Sequence, residues 1–150
     1  MNYTYKQLVS SDVTLLKELL LVFGKAFEDL PTYQDAVPTD DYLQTFLAKP
    51  HVIALVAVSD NKVVGGLVAY ELEKFEQDRR ELYIYDLAVL EEHRRKGLAT
   101  GLIQTLKGIA KDRKAYVIFV QADKEDLPAI ALYKSLGIQE DVYHFDIDPS

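Results

Sequence analysis

The sequence predicts an α/β (α+β) fold, a central mixed β-sheet flanked by helices, in one domain over residues 1–150. Three observations lead there. Apolar residues recur at helical spacing in some segments and alternate or run continuously in others. These segments follow in the order β-α-α-β-β-β-α-β-α-β, with no repeat, linker or low-complexity tract between them. One strand leads through a basic, glycine-containing turn straight into a helix, a unit that sets two parallel strands side by side through a right-handed crossover. Helices on a sheet bury both apolar faces of its strands.

Each element has its own signal. Residues 3–8 form a short first strand. From a cap at Asp12, Leu15, Leu16, Leu19, Leu20, Phe23 and Phe27 fall on one helical face, and Pro31 ends that helix. The segment 31–39 holds two prolines and reads as a loop. Thr39 caps a shorter helix with Asp40 and Asp41 in its first turn, stopped by Pro50. His51 to Val58 is an apolar strand, Asp60-Asn61 its turn, and Val63 to Leu72 the returning hairpin partner. Gly65 and Gly66 within it mark a bulge or a close backbone approach. After a polar connection, Glu81 to Val89 alternates Tyr83, Tyr85 and Leu87 against Ile84, Asp86 and Ala88. Leu98 to Lys111 is a helix with Leu102, Ile103, Leu106 and Ile109 inward. Tyr116 to Ala122 resembles a buried central strand. Asp126 caps a last helix through Ser135, with Pro128 in its first turn and Gly137 at its end. Val142 to Asp148 reads as a final strand.

Composition narrows the partners. Seventeen basic and 24 acidic side chains leave a net charge of −7, which opposes nucleic acid and favours cations. The charges are unevenly spread. Arg94, Arg95 and Lys96 form one basic group, while Asp123, Glu125 and Asp126, and Glu140, Asp141, Asp146 and Asp148, form acidic ones. One anion site and one cation site on the same chain are therefore expected. Cysteine is absent, which excludes disulfides and thiolate chemistry by the protein and fits a reducing cytoplasm. No basic apolar leader opens the chain, and no apolar run reaches about 18 residues, so no membrane span is expected.

The stretch Arg94-Arg95-Lys96-Gly97-Leu98-Ala99-Thr100 is the strongest motif. A helix start offers free amides and the positive end of a dipole, and small residues let a large anion approach. Neither GxxxxGK[ST] nor GxGxxG occurs, so nucleotide loops of those kinds are excluded. Asp86 is the second candidate. An acid in an apolar strand is paired, hydrated or functional. A carboxylate there can attract an ammonium, accept its proton, or close a local backbone hydrogen bond. Gln121 and Asp123 share one strand face; Asp123 either lines a pocket or caps the loop before Asp126. His51, His93 and His144 have no metal-ligand spacing, and no metal is expected.

The segment Arg94 to Ala99 matches the pattern of Gln or Arg, two residues, Gly, one residue, Gly or Ala, and a second block runs from Pro128 to Ile138. On these blocks the chain resembles the GCN5-related N-acetyltransferase (GNAT) superfamily. Lys74–Gln77, Tyr83–Val89, Tyr116–Asp123 and His144–Ser150 are further similar to small aminoglycoside 3-N-acetyltransferases, a similarity weakest over the first ten residues. The resemblance implies the GNAT fold, acetyl-coenzyme A as donor, and the 3-amine of an aminoglycoside's deoxystreptamine ring as acceptor, attacked directly in a ternary complex. Arg94, Arg95, Lys96, Gly97, Leu98, Ala99 and Thr100 would hold the pyrophosphate. The Leu87, Ala88 and Val89 backbone would hold the pantetheine, and a nearby bulge would aim an N–H at the thioester oxygen. Asp86 would be the base and Tyr133 the acid beside the thiol end. Glu81, Tyr83, Asp86, Gln121, Asp123, Asp146 and Asp148 are the substrate-binding candidates, with His144 and Phe145 packing nearby. A homodimer is implied too. The rival readings are acetylation of another polyamine or a peptide amine, and a noncatalytic acyl-coenzyme A-binding module.

Overall fold

A computed structural model describes residues 2–150. Its chain order is β1 (Thr4–Gln7), α1 (Val13–Ala26), α2 (Leu30–Gln34), α3 (Asp40–Ala48), β2 (Val52–Ser59), β3 (Lys62–Glu73), β4 (Arg80–Val89), α4 (Leu98–Asp112), β5 (Ala115–Val120) and α5 (Leu127–Leu136), with a 3-10 turn at Glu91–His93 between β4 and α4. The five strands form one sheet in sequential order. The β1–β2, β2–β3 and β3–β4 pairs are antiparallel, and β4–β5 is parallel across the α4 crossover. The mixed α/β architecture is the one the sequence predicts, but β5, expected over Tyr116–Ala122 as a buried central strand, covers Ala115–Val120 and lies at the sheet edge with Tyr116 and Val117 exposed, because no further strand pairs with it among the described residues.

Alternation along β2 divides the interior. Ile53, Leu55 and Ala57 join Leu98, Leu102 and Leu106 of α4 on one face of the sheet. Ala54 and Val56 join Leu16, Leu19 and Phe23 of α1 and Leu43 and Leu47 of α3 on the other. Burying one such leucine stabilises the fold by roughly 1.5–3 kcal/mol, enough to override weak local propensities. Gly66 is required by this packing, because a Cβ there would lie 2.5 Å from both the Leu55 carbonyl oxygen and Leu19 Cδ1. The Asp60–Asn61 turn has φ of 50° and 62°, the geometry of a tight hairpin, as expected.

Three further expectations are corrected. Pro31 does not end the first helix. Phe27 already caps α1, and Pro31 sits in the first turn of α2, inside the segment expected to be a loop. A proline tolerates a helix start because its missing N–H has no partner there. The strand expected at Val142–Asp148 does not form; Val142, Tyr143, Phe145 and Ile147 are all exposed. Their apolar pattern is strand-like, but a strand needs a ladder partner, which local pattern cannot supply. The third correction concerns β4. Register shifts between Val68 and Ala69, so that Val68 faces Asp86 while Ala69 faces Ile84, and Tyr85 is an extra residue in β4. Such a bulge reverses the alternation beyond it. Leu82 and Ile84 lie in the α4-side core, and Leu87 and Val89 pack there too. Asp86 is therefore on the opposite face from Ile84, and Tyr85 and Asp86 share a face although they are neighbours.

Candidate active site

The strand-to-helix turn after β4 has the geometry of an anion cradle. Arg95 and Gly97 take φ of 62° and 81°, and Gly97 is the N-cap of α4. Alternating backbone hand of this kind turns successive amides toward one concavity. No side chain caps the helix, in contrast to α3 and α5, whose first turns are bonded by Thr39 and Asp126. Nothing lies within 4 Å of a Cβ built on Gly97, so the backbone is open to approach there. Arg94, Arg95 and Lys96 are exposed around it, Leu98 is anchored in the core, and Ala99 and Thr100 are half-buried in the first helical turn. Arg94 Nε donates to the Val89 carbonyl at 3.1 Å, tying the loop back to the end of β4.

Beside this loop, β4 has an unpaired edge. Asp86, Leu87, Ala88 and Val89 pair with Val68, Leu67, Gly66 and Gly65 of β3. Pairing with β5 stops at Ile84 and Val120. From Tyr85 to Val89 the side of β4 turned away from β3 has no strand partner among the described residues, so apart from the Val89 carbonyl, which Arg94 holds, this edge is open to an extended ligand. Helix start, open glycine and free strand edge together fit a diphosphate joined to an extended amide-bearing chain.

Asp86 stands on the α1–α3 side of the sheet. Its Oδ2 accepts a hydrogen bond from the Tyr33 hydroxyl at 3.1 Å. Burial raises its carboxyl above the ordinary aspartate range, and the Tyr33 bond opposes that rise. Around it runs an aromatic strip. Phe46 of α3 meets Tyr70 of β3, Tyr70 meets Tyr85, Tyr85 meets Tyr83, and Tyr83 stacks on Phe119 of β5 with ring centres 4.6 Å apart. Tyr85, in the middle of the strip, is 62% exposed, so the strip presents an open aromatic surface beside a carboxylate. That combination suits a cation carried on a polar ring, through charge attraction and contact with π faces. Tyr70 and Tyr83 are both pushed up, chiefly by burial and then by Tyr85 and Asp86, so both stay neutral.

Other sequence candidates are distributed around this centre. Gln121 accepts a hydrogen bond from Tyr83 at 2.8 Å, which joins those two. Strand β5 ends at Val120, so Gln121 and Asp123 belong to the following loop and not to a strand face. The Asp123 carbonyl closes the turn before α5 by accepting from the Asp126 amide at 3.0 Å, and its carboxylate is exposed. Glu81 is engaged with the Tyr116 hydroxyl and with Lys74 at 3.5 Å. Asp146 and Asp148 lie on the exposed tail, bonded within it to His144 and to the Ser150 amide. Tyr133 of α5 packs against the α4-side core. Burial, reinforced by Asp126, pushes its hydroxyl up to about 12, so it keeps its proton at neutral pH.

Sequence reasoning missed Tyr33, Tyr70 and Phe119 as parts of the site. Strand alternation could have placed Tyr70 opposite Tyr83, its register partner. Tyr33 carried no such signal. Among the described residues no group of three His, Cys, Asp or Glu is placed to hold a metal ion, and no helix is long and apolar enough to cross a membrane.

Comparison with known proteins gives the family of this fold. The model of the acetyltransferase (GNAT) family matches residues 17–138. A crystal structure of an aminoglycoside acetyltransferase from an uncultured soil metagenomic sample is 52% identical, with a TM-score of 0.98 over 100% of both chains. A second aminoglycoside acetyltransferase from such a sample, solved in complex with sisomicin, is 30% identical, with a TM-score of 0.91 over 99% of this chain and 97% of that one. An N-alpha-acetyltransferase of Saccharolobus solfataricus is 34% identical over 92 residues, 57% of this chain and 55% of its own. The chain spans about half the length of the curated relatives it matches.

Proposed function

The chain belongs to the acetyltransferase (GNAT) family and carries its acetyl-coenzyme A-dependent N-acetyltransferase domain, and from that premise we propose that it acetylates an aminoglycoside at the 3-amine of the deoxystreptamine ring. The observation that carries the acceptor class is the half-buried Asp86 beside the open tyrosine strip, a surface suited to a polycationic sugar. Similarity to two aminoglycoside acetyltransferases supports it. The 3-position comes from the resemblance of the strand and tail segments.

The residues of the α4 start fit the cofactor's diphosphate, with the amides of Arg95 to Ala99 and the Thr100 hydroxyl as donors and the basic side chains as counter-charge. The free edge at Leu87, Ala88 and Val89 fits its extended arm. Acetyl-coenzyme A, when bound, would supply the acetyl thioester that the amine attacks and the thiolate that leaves. Asp86 attracts the ammonium and takes its proton at a carboxylate oxygen, which uncovers the attacking lone pair. The β4 bulge at Tyr85 interrupts the ladder and offers an amide for negative charge developing on the acyl oxygen. Tyr133 holds a proton at its hydroxyl for the departing sulfur. Tyr83, Gln121 and Asp123 border the acceptor, with Glu81, Asp146 and Asp148 as outer acidic groups. Much of the acceleration comes from holding the two reactants in line.

In a cell this activity would modify the antibiotic and confer resistance, and the cysteine-free chain suits work in the cytoplasm. The exposed apolar tail at Val142, Tyr143, Phe145 and Ile147 supports assembly as a homodimer.

Purified protein mixed with acetyl-coenzyme A and single aminoglycosides should release free thiol and give a monoacetylated product, with the modified nitrogen mapped by NMR. Absence of product across a broad panel would reject this function. The N-alpha-acetyltransferase relative favours one second reading, acetylation of a peptide N-terminus. Peptides with free α-amines in the same assay distinguish the two.

A further inference from the structure

Tyr33 lies between two prolines in a segment whose local pattern marks no function. In the fold its ring is fixed from several sides. It packs against Phe23 and Phe27 with ring centres 5.9 and 5.8 Å apart. Asp29 caps the short helix through the Thr32 amide at 3.4 Å. Gly24 lets that helix approach α1, since a Cβ there would lie 3.3 Å from Tyr33 Cβ and 3.0 Å from Leu30 Cδ2. The α1–α2 corner thus determines where the hydroxyl points, and it points at Asp86 Oδ2.

We infer that Tyr33 is a positioning residue for acetyl transfer: its hydroxyl holds Asp86 Oδ2 and leaves Oδ1 to meet the acceptor ammonium. The inference rests on the reading of Asp86 as proton acceptor. Oδ1 accepts no hydrogen bond among the described residues, and it is not a buried orphan. The proton lost by the ammonium goes to Oδ1, and Tyr33 keeps its own. Burial, then the charge of Asp86, raise Tyr33 well above the usual tyrosine range, so it remains a donor throughout the working pH range. The titratable groups facing Asp86 are phenols from three elements: Tyr33 of α2, Tyr70 of β3, and Tyr83 and Tyr85 of β4. Beyond them Asp29 faces Tyr33, and Tyr42 of α3 faces Tyr70. None brings positive charge, and Tyr33 is the group that lowers Asp86 against its burial.

Tyr33→Phe keeps the ring packing and removes the donor. In the full chain, the Asp86 side-chain carboxyl is titrated by 13C NMR in both proteins, and the midpoint should rise by about one unit in the variant. The acid limb of kcat/KM for the aminoglycoside should move up with it. Activity should fall about five- to tenfold below that limb and recover at higher pH, with KM for acetyl-coenzyme A unchanged. In an Asp86→Asn background, Tyr33→Phe should have no further effect. An unchanged Asp86 midpoint or an unchanged acid limb overturns the inference. Wild-type turnover by Asp86→Asn alone would instead remove the reading of Asp86 on which it rests.

Discussion

The proposed cofactor loop is seven consecutive residues, Arg94 to Thr100, whereas the surroundings of Asp86 are gathered from α2, β3, β4 and β5. The first site works through backbone, and its requirements are written locally: a helix start, a left-handed glycine and small neighbours. The second works through side chains whose partners lie 53 positions away in the case of Tyr33 and 38 in the case of Tyr83 and Gln121. A backbone site survives exchange of most of its side chains, while an assembled site depends on each one. Perturbations of the two should therefore separate cleanly into binding effects and turnover effects.

The sharpest separation is expected at Asp86. Asp86→Asn should lower kcat with the aminoglycoside by roughly 10²–10⁴, the usual range for a lost general base. Calorimetric titration with acetyl-coenzyme A should give a wild-type Kd. A matching loss of cofactor affinity would mean the two regions are one site, and the comparison would break.

On the cofactor side, Gly97→Val should act in reverse. The φ of 81° is costly for a β-branched residue, by about 1–2 kcal/mol, although nothing lies within 4 Å of the new Cβ. The loop should relax and acetyl-coenzyme A should bind about tenfold more weakly. At saturating cofactor, kcat should stay within about threefold of wild type, since Asp86 and its partners are untouched.

Tyr133→Phe should slow turnover about tenfold at saturating substrates by removing the proton held for sulfur. Because burial keeps this hydroxyl protonated to about pH 12, Tyr133 should contribute no alkaline decline in wild-type kcat below pH 10. A loss of activity near pH 8 that vanished in Tyr133→Phe would remove it from that role.

The same contrast explains what was legible in the sequence. The glycine turn and the α4 amphipathic face depend on spacing within about a dozen residues, and the structure has them where the pattern put them, whereas the place of β5 at the sheet edge depends on partners beyond its own pattern. Asp86 was legible as an odd acid in an apolar strand, but its face was not. The Tyr85 bulge is a mismatch between β4 and β3, and one strand alone does not reveal it. Tyr33 was hidden for a related reason, since its role comes from the α1–α2 corner that Gly24 and Pro31 allow. The tail misled in the opposite direction, with Val142, Tyr143, Phe145 and Ile147 advertising a strand that finds no ladder in the single chain.

The smallest effect tests whether the assembled region is held at a cost to the fold. Burial raises the Asp86 carboxyl in the folded state, so the folded protein holds that proton more readily than the unfolded chain. The contribution of Asp86 to stability therefore falls as pH rises from the unfolded carboxyl range through the raised folded value, and stays lower above it. Asparagine keeps an oxygen for the Tyr33 hydroxyl and carries no charge to bury. Asp86→Asn should thus match wild type in Tm at acid pH and exceed it by a few degrees near neutrality, measured by thermal unfolding across that range. The glycine loop offers no such relief, because its left-handed backbone angles at Arg95 and Gly97 do not titrate. An Asp86→Asn protein that unfolded earlier than wild type at neutral pH would mean that the Tyr33 bond outweighs the burial of the charge, and that this carboxylate stabilises the fold it serves.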